Sequence, residues 1–281
     1  MAWKDLIVFA DGSADGVARV KMAAELAKVA GAHLEAHTFV ETPRRLMTMA
    51  AGALADAYQE ALVAAAREGD RAVEAMKAAG PGLGDRFSTY RQDAPHGDLR
   101  RVAGNVARAG DVAILGRPES TDGSDIDSQT LLGALFGSGR PCLVLPRWAK
   151  PRSWGKRAVV AWKGTPEAAR AVAAAIPLLA RAESVRVTLV DPRGEAHGEH
   201  GRALARVETH LLRHGVPVEG AAVRRSNYDR VWEAIYSDIE SFGADLLVMG
   251  AFGHSRFQQM VFGGMTREAL AEAKLPLLMA H

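Results

Sequence analysis

The sequence predicts an α/β protein made of two tandem doubly wound, Rossmann-like domains, each a five-stranded parallel sheet with helices on both faces. Two observations predict it. Short apolar runs alternate with alanine-rich amphipathic segments along the chain. The chain also repeats itself, because residues 111–116 and 245–250 each consist of an acidic residue, four apolar residues and a glycine. Three further matches keep the same order: 6–13 with 158–165, 37–41 with 187–191 and 140–146 with 275–281.

The second half divides cleanly into strands and helices. A helix is expected to open at Thr165, because Thr is a favourable N-cap and Pro166 then takes the first helical position. The first half follows the same plan but carries an alanine-rich insertion at 41–80, which predicts one long helix or a broken pair. Within it, residues 45–52 are interpreted as covering helix rather than a mobile loop. Strands of the second half are expected at 158–162, 185–191, 218–223, 245–250 and 277–280.

The domain boundary is predicted in residues 146–155, which contain two prolines and two tryptophans. The 281 residues suit one large or two ordinary domains. We therefore place the domains at residues 1–148 and 156–281. Because the linker is short, the halves are expected to pack together as an intrachain pseudo-dimer, and a homodimer stays open.

Composition excludes several classes of protein. The chain has 35 basic and 33 acidic residues, and its net charge of +2 is too small to attract nucleic acid or an anionic membrane without other contacts. No apolar run approaches the roughly 18–20 residues of a membrane helix, and the start of the chain lacks a signal-peptide core, so a cytoplasmic protein is expected. The single cysteine, Cys142, excludes internal disulfides and CxxC sites and is expected in a buried strand.

The candidate binding site follows the fourth strand of the second half. Ligands of open doubly wound sheets bind beyond the carboxyl ends of the strands, where the strand order reverses. Glycines stand here at 250, 253, 263 and 264, and a helical run begins near Thr266. Such a loop lets backbone amides approach a ligand, and a helix N-terminus attracts anions.

This glycine spacing resembles that of the universal stress protein family in its tandem form, and the resemblance covers essentially the whole chain. Nucleotide-binding members carry Gly, two residues, Gly, nine residues, then Gly followed by Ser or Thr. Gly250, Gly253 and Gly263 meet that spacing, while Gly264 stands at the hydroxyl position. The resemblance implies strand order 3-2-1-4-5 in each domain. It also implies a stress-response sensor or regulator that binds ATP or AMP, with or without Mg²⁺, on the amides of this loop.

The second half departs from the family pattern at two positions. Lys163 stands where the family has an Asp that contacts adenosine, and a cation there suits a phosphate. Thr266 is the candidate replacement for the hydroxyl missing at Gly264. His254 and Arg256 are candidate phosphate contacts, and solvated loop side chains are an equal alternative. The complete candidate set is Gly250, Gly253, His254, Arg256, Gly263, Gly264, Thr266, Lys163 and Val190.

The first half has the opposite pattern, because Asp11 is present but no second loop glycine follows Gly116. The carboxylates of the following loop would repel a phosphate, so this site is interpreted as degenerate and mainly structural or regulatory. A solvated acidic loop is favoured over a metal loop, since the calcium-loop spacing is missing. The carboxylates are Glu119, Asp122, Asp125 and Asp127.

The other patterns in the sequence favour structural roles over metal binding or catalysis. Four histidines, His197, His200, His210 and His214, are more typical of a solvated helical face than of a zinc site. Ser255 resembles a nucleophile elbow, but Phe257 replaces its second glycine. Trp154, Trp162 and Trp232 are expected in core or interdomain packing. We expect no catalytic residue, although slow ATP hydrolysis stays open. The alternative is a scaffold that acts through protein contacts or holds another small phosphorylated ligand.

Overall fold

The computed structural model describes residues 2–42, 53–80, 82–119, 125–147, 153–191, 197–225, 230–251 and 264–281. Strands and helices alternate along both halves, as the sequence predicts. The first half contains β1 (Asp5–Phe9), α1 (Ala14–Ala30), β2 (His33–Thr42), α2 (Ala53–Lys77), β3 (Phe87–Pro95), α3 (Leu99–Ala107), β4 (Val112–Gly116), α4 (Ile126–Gly137) and β5 (Cys142–Leu145). The second contains β6 (Arg157–Ala161), α5 (Pro166–Leu179), β7 (Ser184–Asp191), α6 (His197–Arg213), β8 (Val218–Arg225), α7 (Val231–Phe242), β9 (Leu246–Gly250), α8 (Gly264–Glu272) and β10 (Leu277–Ala280).

All ten of these strands belong to one continuous sheet of order β3-β2-β1-β4-β5-β10-β9-β6-β7-β8. Each half therefore has the order 3-2-1-4-5. Neighbouring strands are parallel within each half, and β5 pairs with β10 antiparallel. The sequence suggested two sheets packed together. The structure instead joins them edge to edge, because the last strand of each half would otherwise expose an unpaired edge.

The β5–β10 pair is the seam between the halves. Its register pairs Leu143 with Leu278 and Cys142 with Met279. These four side chains have no exposed surface. Burial raises the pKa of the Cys142 thiol, so that it stays protonated. The expectation of a buried strand cysteine is confirmed.

Two apolar cores lie on opposite faces of the sheet. One contains residues of α1, α2, α5 and α6, including Val20, Met76 and Leu211. The other contains residues of α4, α7 and α8, including Leu131, Trp232 and Leu270. Each core draws on both halves, so packing across the seam is continuous on both faces. Arg181, just after α5, also donates to the carbonyl of Val29 in α1 at 2.6 Å.

Helix boundaries follow the local sequence. Ser13 caps α1 by accepting from the Gly16 amide, and Thr165 caps α5 by accepting from the Ala168 amide. Gly31 ends α1 with φ of 64°, a conformation that glycine adopts without strain. The α2 insertion is a single helix over its described length; residues 45–52 lie outside the described residues. None of the helices in the described ranges is long and apolar enough to cross a bilayer.

Leu143→Ala is expected to lower the free energy of unfolding by about 2–5 kcal/mol, because it opens a cavity at the seam. Since both cores cross the seam, both halves should lose stability in one transition. Urea unfolding followed by tryptophan fluorescence and circular dichroism measures this. Leu212→Ala is the matched control: Leu212 is 53% exposed, and the change should cost about 0.5 kcal/mol or less. Two separated transitions, with only one shifted, would contradict the coupling.

Candidate functional site

The order of the sheet creates two crevices at the carboxyl ends of its strands. The first crevice lies between β1 and β4, and the second lies between β6 and β9. In each, the helices after the two strands cover opposite faces of the sheet, which leaves the space beyond the strand ends open to a ligand. The two crevices are therefore the places where each half can bind a small molecule.

Backbone hydrogen bonds show which residues of the two crevices are equivalent. The Ala10 amide donates to the His37 carbonyl at 3.0 Å, and the Trp162 amide donates to the Thr188 carbonyl at 2.8 Å. Ala10 and Trp162 follow β1 and β6, so the next residues, Asp11 and Lys163, are structural counterparts. The predicted alignment of 6–13 with 158–165 is confirmed. The predicted match of 37–41 with 187–191 is wrong by one residue, because His37 and Thr188 are the counterparts.

Charged side chains of the chain itself fill the first crevice. Arg19 is 7% exposed; it donates to the Phe9 carbonyl at 2.7 Å and pairs with Asp15 at 2.8 Å. A Cβ on Gly116 would collide with the Arg19 guanidinium. Arg19 therefore lies across the end of β1 and against the end of β4, where a ligand would have to bind.

A second cation joins this network from the end of β5. Arg147 pairs with Glu119 at 2.6 Å and with Asp127 at 3.3 Å. Burial raises the pKa of Asp127, although Arg19 and Arg147 act in the opposite direction. Two of the four acidic residues predicted to face a phosphate, Glu119 and Asp127, are thus paired with Arg147.

The remaining acidic residues of this loop have structural roles or lie outside the described ranges. Asp125 caps α4 by accepting from the Ser128 amide at 2.8 Å. Asp122 lies outside the described residues. Asp11 accepts from the Ser13 hydroxyl at 2.6 Å. No group of three metal-ligating side chains is present in the described part of the chain.

The residues at the strand ends of the second crevice differ from those of the first. Lys163 occupies the position of Asp11, and Gly164 follows with φ of 71°, which an L side chain adopts only with strain. Gly250 lies against the start of α5, because a Cβ there would be 2.5 Å from the Ala168 nitrogen. The strand end and the helix backbone are therefore in direct contact, which explains the glycine that ends β9.

Gly264 is the first residue of α8, and no atom of the described residues lies within 4 Å of the position of its missing Cβ. Thr266 is 4% exposed, so its hydroxyl is not on the surface that Gly264 presents. Val190 is half-buried near the end of β7 and packs against the second core. Gly253, His254, Arg256 and Gly263 lie outside the described residues, as do Ser255 and Phe257.

Sequence reasoning assigned Trp162 to packing alone and did not single out His281, and both residues lie at the second crevice. The indole Nε1 of Trp162 is buried and has no hydrogen-bond partner among the described residues. His281 donates from Nδ1 to the Ala251 carbonyl oxygen at 3.1 Å, and its ring lies edge-on to the Phe136 ring of α4 with centroids 4.7 Å apart. The pairing of β9 with β10 brings His281 to this crevice. In the sequence, its place directly after the predicted last strand was the signal that could have found it.

Trp154, Trp162 and Trp232 pack as expected. Trp154 and Trp162 lie against the first core, and Trp232 is 1% exposed with its Nε1 donating to Glu272 at 2.8 Å. His210 and His214 are in contact, with ring centroids 4.7 Å apart. The side chains of His197 and His200 lie outside the description.

Comparisons with known proteins agree with this architecture. A universal stress protein from Archaeoglobus fulgidus DSM 4304 superposes with a TM-score of 0.71 at 16% identity, covering 98% of this chain and 95% of that one. A putative universal stress protein from Pseudomonas aeruginosa UCBPP-PA14 superposes with a TM-score of 0.61 at 16% identity, covering 99% and 93%. At this identity the likeness shows a shared fold. No curated protein matches the chain.

The sequence model of the universal stress protein family matches residues 155–281. The second half of the chain belongs to that family. The resemblance predicted from its glycine spacing is thereby confirmed. The match covers β6 to β10 and therefore the whole second crevice, while the first half shares the fold of universal stress proteins.

Arg19→Ala is expected to reduce the free energy of unfolding by roughly 3 kcal/mol, because it leaves Asp15 and the Phe9 carbonyl without their cationic partner. Thermal and urea unfolding measure the loss. Arg170→Ala is the matched control, since Arg170 is 51% exposed in its pair with Glu167 and should contribute under about 1 kcal/mol. Equal effects of the two changes would show that the Arg19 network does not hold the first crevice together.

Proposed function

We propose that this protein is a tandem universal stress protein whose second domain, residues 156–281, binds an adenine nucleotide as a sensor or regulator of the stress response. Residues 1–148 form a diverged copy of the same domain. The proposal concerns binding, and it assigns no catalytic residue. The observation that carries it is the difference between the crevices: Asp11 of the first is replaced by Lys163 in the second, beside Gly164 and Gly250.

Support for an anionic ligand comes from Lys163 and from the start of α8. Lys163 brings a positive charge to the place where the first crevice has the carboxylate of Asp11. The first amides of α8 lack intrahelical partners and carry the positive end of the helix dipole. A phosphate group between Lys163 and α8 would interact favourably with both.

The start of α5 is less suited to a phosphate, because the side chains of Thr165 and Glu167 already accept hydrogen bonds from its first backbone amides. Thr165 accepts from the Ala168 amide at 3.3 Å. The Glu167 carboxylate accepts from its own backbone amide, which lowers the pKa of Glu167. A negative charge therefore already lies at α5, and α8 is the helix left for a phosphate.

The loop between Gly250 and Gly264 supplies the sequence support. Gly250, Gly253 and Gly263 have the spacing that nucleotide-binding members of the family use for phosphate contact. We assign the phosphates to these backbone amides, with His254 and Arg256 as candidate side-chain contacts and Val190 beside the adenosine. ATP with Mg²⁺ is the form of ligand to test first.

Gly263→Val is expected to abolish ATP binding, because a branched side chain would occupy the space beside the phosphates. Isothermal titration calorimetry with ATP, with and without Mg²⁺, measures this on nucleotide-free protein. Gly201→Val is the matched control: Gly201 is exposed in α6 and nothing lies within 4 Å of its missing Cβ. No ATP or AMP binding by the folded wild type would overturn the proposal and favour a scaffold or another small ligand.

Gly264→Ser is expected to tighten ATP binding several-fold, because it restores the hydroxyl of the family pattern where there is room for a side chain. Titration of the variant beside the wild type measures the ratio of dissociation constants. Gly264→Ala controls for the effect of a side chain on helix stability. Equal affinities for the Ser and Ala variants would place the phosphate away from the start of α8.

A further inference from the structure

The outer face of α2 has an ordered pattern of charge. Its inner face contributes Gly69, Ala72 and Met76 to the interior. The opposite face is exposed, and the side chains at spacings of three and four residues fall on one stripe along it. This stripe consists of Asp56, Glu60, Val63, Arg67 and Arg71. Glu74, three residues beyond Arg71, lies on the same face and pairs with Lys77 at 2.6 Å.

The stripe is acidic at one end and basic at the other, with an apolar centre. Val63 is 48% exposed. The four charged side chains are exposed and make no ion pair or hydrogen bond with other residues in the described ranges. The small exposed side chains of Ala61 and Ala64 flank Val63, so another helix could approach closely at this point.

Within a single helix this arrangement is unfavourable. Asp56 and Glu60 are four residues apart and repel each other, and so do Arg67 and Arg71, although Glu68 and Glu74 each lie three residues from Arg71. Elsewhere the chain places opposite charges three or four residues apart, as in Arg19–Asp15, Lys28–Glu25 and Lys77–Glu74. The helix dipole does not explain the segregation, because it acts within the first and last turns and Glu60, Arg67 and Arg71 lie outside them.

We propose that the outer face of α2 binds α2 of a second copy of this chain in antiparallel orientation. A two-fold axis beside Val63 and Ala64 sets Asp56 against Arg71 of the second copy and Glu60 against its Arg67. Each contact occurs twice, so one dimer contains four opposite-charge contacts around an apolar centre. A face that matches itself in this way is the requirement for a closed two-fold dimer.

The size of the surface sets the strength of this association. A single helix face is smaller than the roughly 800 Å² per partner of a standard interface, so the dimer is concentration-dependent. Its contacts are exposed ion pairs, so salt weakens it. The interface is separate from both crevices and does not depend on nucleotide binding.

The test is charge reversal on α2 with sedimentation equilibrium of the full chain at several concentrations. Glu60→Arg makes the stripe largely basic, and Arg67→Glu makes it largely acidic. Each single variant is expected to raise the dimer dissociation constant by about tenfold or more, because two attractive contacts become repulsive. The double variant Glu60→Arg/Arg67→Glu exchanges the charges and is expected to restore the dimer.

A mixture of the two charge-reversed variants tests the pairing of Glu60 with Arg67 of the second copy more directly. An equimolar mixture of the Glu60→Arg and Arg67→Glu proteins is expected to form a mixed dimer, since the basic stripe then faces the acidic one. Arg206→Glu is the matched control, because Arg206 is exposed in α6, and it should leave the dissociation constant unchanged. Circular dichroism verifies that every variant is folded.

Three outcomes would overturn the proposal. A wild-type chain that stays monomeric at every concentration shows that the stripe does not associate. A dimer that both single reversals leave intact shows that assembly uses another surface. Loss in both single variants, without recovery in the mixture and the double variant, also contradicts antiparallel pairing.

Discussion

The antiparallel pairing of β5 with β10 is the interaction on which the rest of the structure depends. Each half has the strand order 3-2-1-4-5 and ends with an apolar strand at the sheet edge. An exposed apolar edge would pair with any other strand available. Joining the two edges within one chain removes both and lets the cores of each face continue across the seam. The free edges are then β3 and β8, at opposite ends of the sheet.

The same backbone plan gives two crevices with different chemistry. In the first, Arg19 lies between the ends of β1 and β4, and the acidic residues of the following loop pair with arginines or cap a helix. In the second, Lys163 replaces a carboxylate. The glycines that end β4 and β9 show the contrast well: Gly116 makes room for the Arg19 side chain, and Gly250 makes room for the backbone of α5. One residue type thus serves an internal ion pair in one half and a close backbone approach in the other.

Much of this architecture was predictable, and specific residues show why. The repeat located the second-half strands to within two residues, because buried parallel strands are continuous apolar runs bounded by helix caps. Thr165 identified the start of α5, because Thr is a favourable N-cap. The first crevice was correctly predicted to be acidic, but the part played by Arg19 was not visible. Arg19 is one of many arginines in the sequence, and only folding places its guanidinium against the Phe9 carbonyl.

The sequence by itself determined the α/β class and the alternation of strands and helices along both halves, because these depend on local periodicity. Tertiary structure decided which edges meet, which charges neutralise one another and which side chains from distant segments share a crevice. His281 and Phe136, or Arg147 and Glu119, are far apart in the chain and adjacent in space. Such contacts depend on strand order and on burial, and no local pattern encodes them.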